Sequence, residues 1–427
     1  MIVPDPPPRW VEHSEFLPLR PMAAEQNRPS PRARPIRGLP AALTIAGILL
    51  AASAAAPASA EPGAVEDLEI ASYNVQFVMP DLPILGHLIR DLPGQKPNVE
   101  ARARAIGTAL ACFDVIALHE TINDHRRAEL LDQLESDGRA CGKPSRLPSG
   151  RMFATTTGPD VPAGSGWLPL LGDELALASR LPVESVDMRG YHEAAGTDAL
   201  AAKGALHARL ALAPDPGDHS PADHLDVFTT HLQADDDEAS VRRRQIEELA
   251  DFVSNRSNAE GPVLVMGDFN LWGGNVDRAD PGSEYNFLLG ALNEAVAPRR
   301  FVDLWLATHP RDPETASGTK RRVLKDGSIR PREKRIDFLL LAGAGEIRPL
   351  AARRDFLHRD LLIDGTPVGD LSSHAAVVAR IVWHPAAGPP TADAGDQSVL
   401  IGSSTAGHDQ PNRSSGPPRP RDRPLLR

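Results

Sequence analysis

The chain is poor in several features that would each have pointed to a function. It has only two cysteines in 427 residues, which allows one intrachain disulfide and no disulfide framework. Positive charge is in deficit: the formal net charge is −11, and both ends are slightly basic, so the middle is more acidic still. A field of that sign does not recruit polyanions by itself. Aromatic residues make up 4% of the chain, and no basic stripe interleaved with aromatics, of the kind that tracks single strands, is visible. There is no internal repeat. The apolar run from Ala41 to Ala56 is 16 residues long, short of the roughly 20 that a bilayer-spanning helix needs.

That run is followed by Ala58-Ser59-Ala60, a small-residue pattern suited to signal-peptide cleavage after Ala60. Residues 1–60 are therefore expected to be an N-terminal extension and signal peptide, with Met22 an alternative start, and the mature protein is expected to be secreted. Export favours pairing of Cys112, after the first predicted helix, with Cys141, which closes the second. From residue 61 to 384, short β-like runs alternate with helix-period segments, which predicts a single α/β domain. The segments after Asn270 and between Asp312 and Lys334 lack clear periodicity and read as surface loops. Residues 385–427, rich in Pro, Gly and Ser, read as linker or disordered tail.

Six segments place polar residues at the ends of apolar strands, where a sheet edge presents side chains to a cleft. Asn74 closes Ile70–Val75, Glu120 follows Val115–Leu118, and His231 stands in Thr230-His231-Leu232-Gln233. Asp268 and Asn270 belong to Gly267-Asp268-Phe269-Asn270, Asp337 to Arg335-Ile336-Asp337-Phe338, and His374 to Ser372-Ser373-His374. Taken singly, most of these read equally well as turn residues, and Asp268 with Asn270 as an Asx turn. Together they supply what phosphodiester cleavage requires. Oxygen ligands hold a hard cation that neutralises phosphate, and a histidine backed by a carboxylate acts as base near neutral pH.

In this order the segments resemble the endonuclease/exonuclease/phosphatase superfamily over residues 68–383. The resemblance implies a four-layer α/β/β/α sandwich of two mainly antiparallel sheets flanked by helices, with the site at one end. It implies a Mg²⁺-dependent phosphoric diester hydrolase in which Asn74 and Glu120 serve the metal and His231 binds phosphate or acts as acid. Asp268 and Asn270 would orient water and phosphate, and Asp337 would support His374 as general base. Two positions depart from the pattern. Ser373 replaces the usual Asp beside the histidine, and His119, in place of Gln or Asn before the glutamate, reads as a neutral lining residue.

Thr230-His231-Leu232-Gln233-Ala234-Asp235, and Ala195-Gly196-Thr197-Asp198 followed by the Lys203-Gly204 strand start, look like the sphingomyelinase and phospholipase C branch. Lys203 would then either meet the substrate phosphate or be a solvated strand-end lysine. The expected substrate is a phospholipid headgroup ester, with Met79–Leu85 and Trp167–Leu171 as candidate membrane-facing loops and a monomer as the expected state. A secreted deoxyribonuclease-like endonuclease is the alternative, which would make nucleic acid the partner. A catalytically impaired binding module is a lesser one.

Overall fold

The computed structural model describes residues 66–78, 99–158, 174–212, 223–259, 261–309, 319–320, 334–343, 347–355, 357–363 and 366–383. The signal-peptide region, both candidate membrane-facing loops and the C-terminal tail lie outside them. Among the described residues no helix is long and apolar enough to cross a membrane.

In chain order the elements begin with β1 (Glu66–Asn74), α1 (Val99–Leu110), β2 (Val115–His119), α2 (Asp124–Gly138), β3 (Ala154–Thr157), β4 (Leu175–Ser179) and β5 (Val183–Gly190). There follow β6 (Gly204–Ala211), β7 (His224–His231), α3 (Ala239–Arg256), β8 (Val263–Asp268), α4 (Asn275–Ala279) and α5 (Glu284–Ala295). The last are β9 (Val302–Asp303), α6 (Leu304–Thr308), β10 (Asp337–Ala342), β11 (Ile347–Asp355), β12 (His358–Ile363), β13 (Thr366–Asp370) and β14 (Ala376–Trp383). Among the described residues they form two six-stranded sheets, β11-β14-β1-β2-β4-β3 and β5-β6-β7-β8-β10-β9, and a β12-β13 hairpin. Each large sheet is antiparallel except for one central parallel pair, β1 with β2 and β7 with β8.

Side-chain alternation builds the layers. Leu68, Ile70, Val115, Leu177, Leu206, Val227, Leu264, Met266 and Leu339 form one core between the sheets. The alternate residues Tyr73, Ile116 and Leu118 pack with Ile106 and Leu110 of α1 and Leu130 and Leu134 of α2. Phe228, Val265 and Phe338 pack with Ile246 and Leu249 of α3 and Leu288 and Leu292 of α5. Strands apolar on both faces read as continuous runs because each sheet is covered twice. This is the expected four-layer sandwich.

One expectation fails. The segment after Asn270, expected to be loop, contains α5, whose Ser283 side chain caps its N-terminus by accepting from the Asn286 N–H. Tyr285, Leu288 and Leu292 are its buried face. That i, i+3, i+7 spacing is a helix signal, hidden from the sequence reading by the Pro- and Gly-rich flanks.

Cys112 and Cys141 are joined by a disulfide, with their Cα atoms 5.4 Å apart. Buried Arg180 ties the two helix ends beside it, donating to the carbonyls of Ala111 and Gly138.

Candidate active site

Strand register brings the site together. Asn74 ends β1 opposite His119 at the end of parallel β2, and His231 ends β7 opposite Asp268 at the end of parallel β8. Antiparallel neighbours start where these strands end. Asp337 opens β10 opposite Asp268, Leu175 opens β4 opposite His119, and the start of β14 lies against the end of β1. Residues scattered over 300 positions therefore meet at one end of both sheets.

Gly267 sets the closeness of the β7–β8 contact. A Cβ placed there would stand 2.1 Å from the Thr230 carbonyl oxygen, so only glycine fits. Asp268 then uses Oδ1 to accept from the Asn270 N–H at 3.1 Å, the Asx arrangement anticipated from sequence. Its Oδ2 remains for the cluster. Glu120 and Asn270 both adopt left-handed backbone, with φ of 56° and 52°, a conformation that non-glycine residues seldom take and that concentrates at functional sites. Backbone hydrogen bonds from Phe77 N–H to the Glu120 carbonyl, and from Thr121 N–H to the Glu174 carbonyl, hold Glu120 there.

Asn74 joins the carboxylates through its amide nitrogen. Nδ2 donates to Glu120 Oε1 at 2.7 Å and to Asp268 Oδ2 at 2.9 Å. Its Oδ1 accepts from the Gln76 N–H. Asn74 therefore orients the acidic pair and directs its own oxygen to the backbone.

His374 Nδ1 lies 3.0 Å from Asp337 Oδ2, while its Nε2 has no hydrogen-bond partner among the described residues. Burial pushes the Asp337 carboxyl above the usual range, against the opposing pull of His374 and Thr319. Burial also works against charge on Asp268, yet His374, His231 and Lys320 outweigh it and hold this carboxyl far below the ordinary range. Ser372 Oγ donates to the Asn74 carbonyl and accepts from the His374 N–H, linking two arms of the site. Ser373, half-buried, uses its N–H on Gln76 Oε1.

Around His231 lies a second histidine–carboxylate pair that the sequence reading did not contain. Its Nδ1 is 3.0 Å from Glu174 Oε2. With a proton on Nδ1 and none on Nε2, Nε2 accepts from Asn270 Nδ2 at 3.0 Å; protonated, it points its N–H toward Asp268 Oδ2 at 3.6 Å. Burial and Lys203 disfavour the charged ring, but Glu174 and Asp268 prevail and raise its basicity.

Lys203 is not a solvated lysine. It is 2% exposed and pairs with Asp198 at 3.2 Å and Glu174 at 3.3 Å. Burial disfavours its charge, and these two carboxylates more than restore it. Glu174 left no sequence signal beyond an acid before a strand, and Asp198 stood in the Ala195-Gly196-Thr197-Asp198 segment without a role as partner of Lys203. His119 is the expected lining residue: it is fully buried, its Nε2 is 2.9 Å from Thr229 Oγ1, and burial presses its pKa down to about 3, so it stays neutral.

Glu120, His231 and Asp268 can each turn a ligand atom into one small volume, as can Asp268, Asp337 and His374. Glu120 and Asp268 offer the hard carboxylate oxygens that suit Mg²⁺, whereas Nδ1 of each histidine already faces a carboxylate.

The model of the Endonuclease/Exonuclease/phosphatase family matches residues 71–390. A sphingomyelinase of Dictyostelium discoideum is 22% identical over 213 residues, covering 44% of this chain and 43% of that protein. Sphingomyelinase C of Bacillus cereus is 25% identical over 258 residues, covering 56% of this chain and 68% of that protein. The chain spans less than two thirds of the first such relatives, 43% and 36% of two of them. The crystal structure of sphingomyelinase C from Streptomyces griseocarneus is 18% identical with a TM-score of 0.45, over 74% of this chain and 99% of that one.

Proposed function

The chain belongs to the endonuclease/exonuclease/phosphatase family, and on that premise we propose that it is a secreted, Mg²⁺-dependent phosphodiesterase acting on phospholipid headgroup esters. The observation that carries the chemistry is the His374–Asp337 pair: Nδ1 is engaged by the carboxylate and buried Nε2 has no partner among the described residues. A nitrogen so placed is a general base, because the carboxylate fixes the ring and stabilises the imidazolium that forms. A divalent cation on Glu120 and Asp268, when bound, neutralises phosphate charge and makes phosphorus a better electrophile. Water attacks phosphorus and gives its proton to His374 Nε2. The bond from phosphorus to the lipid oxygen breaks, and that basic alkoxide takes a proton from His231 Nε2. Asn270 Nδ2, released from His231 Nε2 when that nitrogen carries the proton, supplies a donor beside the phosphate oxygens, and buried Lys203 stays with Glu174 and Asp198.

The lipid reading is supported by the sphingomyelinase names of the curated relatives and by the chain's acidity, which disfavours a polyanionic polymer. Purified protein should release phosphorylcholine or a related headgroup from vesicles with Mg²⁺ and lose that activity with chelator. Nicking of plasmid DNA, with no headgroup released from any vesicle, would overturn the lipid assignment in favour of a nuclease.

A further inference from the structure

Three segments leave the site and meet again at its rim. Trp272 stands two residues after Asn270, Lys334 three before Asp337, and Asp236 five after His231. The Lys334 ammonium sits 4.8 Å above the centre of the Trp272 ring and 2.7 Å from Asp236 Oδ1. The Gly273 N–H donates to the Arg335 carbonyl, pinning the tryptophan's segment to the lysine's. Two residues of extended chain reach about 7 Å, so the Trp272 backbone lies within one headgroup length of Asn270.

Other cations over aromatic rings include the arginines Arg102, Arg180, Arg243 and Arg335. Lys334 is different in kind. Its side chain is 34% exposed and its carboxylate partner 71% exposed, so the ammonium can leave the ring for water at little cost. A primary ammonium is strongly hydrated, whereas a quaternary ammonium is weakly hydrated and cannot donate hydrogen bonds. The latter gains more from an aromatic face with a carboxylate beside it.

We propose that the Trp272 face, with Asp236 at its side, is the subsite for the quaternary ammonium of a choline-type headgroup, a place that Lys334 fills as an internal stand-in. The inference rests on the phosphodiesterase reading and adds to it a specificity-determining contact: phosphate lies at Asn270 and His231, and the cation two carbons away reaches the indole.

The test compares phosphatidylcholine with phosphatidylglycerol in mixed micelles, using wild type, Trp272→Leu and Lys334→Met. Wild type should prefer the choline ester by about tenfold in kcat/KM, within the range that a desolvated cation–π contact supplies. Trp272→Leu should remove most of that ratio through KM, and Lys334→Met should increase it. An equal ratio in wild type and Trp272→Leu overturns the subsite. Wild type is also assayed on bis(p-nitrophenyl) phosphate: inertness there and on every lipid would sink the phosphodiesterase reading alone. The subsite is then judged by titrating tetramethylammonium against intrinsic fluorescence. Quenching in wild type that Trp272→Leu lacks supports it, and identical traces overturn it.

Discussion

Thr319 Oγ1 donates to Asp337 Oδ2 across 2.7 Å. The direction is forced, because the same hydroxyl oxygen accepts from the N–H groups of Ile336 and Asp337 at 3.0 and 3.1 Å. Its one proton is left for the carboxylate, which turns its remaining capacity to His374. Hydrogen bonds to charged groups contribute about 1.5–3 kcal/mol. Thr319→Val should therefore lower kcat at least about tenfold with KM little changed, and Thr319→Ser should restore it. Steady-state kinetics at fixed Mg²⁺ decide this, and a Val variant with wild-type kcat would remove Thr319 from the site's support.

Glu120→Ala and His374→Ala should each cut turnover by about 10²-fold or more, the usual effect of losing a charge-stabilising ligand or general base. The two differ in their response to metal. Glu120→Ala should shift the Mg²⁺ concentration for half-maximal activity upward, and His374→Ala should leave it in place. A metal titration of each variant separates the roles.

Gly267→Ala should be among the most damaging single-methyl changes in the chain, since the added Cβ would meet the Thr230 carbonyl at 2.1 Å. The strands would have to separate beside His231 and Asp268. We expect loss of about 3 kcal/mol or more of stability, as for severe overpacking, measured by urea unfolding. A variant as stable as wild type would show that the β7–β8 pair tolerates spreading.

Asp226, at the opposite end of β7 from His231, accepts from His207 and Arg209 and from the Asn258 N–H. Burial opposes its charge, but these donors outweigh burial and lower its carboxyl. A carboxyl lower in the folded than in the unfolded chain contributes stability above its unfolded pKa, about 4. That contribution is lost as pH falls from there through the folded value. Asp226→Asn should therefore be less stable than wild type at pH 7, with the difference shrinking below about pH 4. Thermal melts across pH 2.5–7 test it, and a constant difference would refute it.

Much of the site was legible in the chain because its residues terminate strands, and strand ends are marked by abrupt change from apolar to polar. Asn74, Glu120, His231, Asp268, Asn270, Asp337 and His374 each carry that mark. The pairing of Cys112 with Cys141 was legible for a similar reason, as both follow helix ends. Glu174 was not, nor was the pairing of Asp198 with Lys203, because acids at such turns are common and nothing local says which cation will be buried against them. Helix α5 was missed because turn-rich flanks diluted its apolar spacing.

By itself, then, the sequence determined the α/β alternation, the buried faces and the set of groups able to do phosphodiester chemistry, since local pattern governs each of these. Only the tertiary structure decided their pairing. Register set Asp337 against Asp268, and the close approach at Gly267 aligned the ends of β7 and β8. Packing of the two sheets placed His119 of one against Thr229 of the other. It also buried Lys203 between Glu174 and Asp198. The reason is physical: desolvation and Coulomb interaction depend on which charges share a low-dielectric volume, and residues far apart in the chain come to share one only when the sheets close.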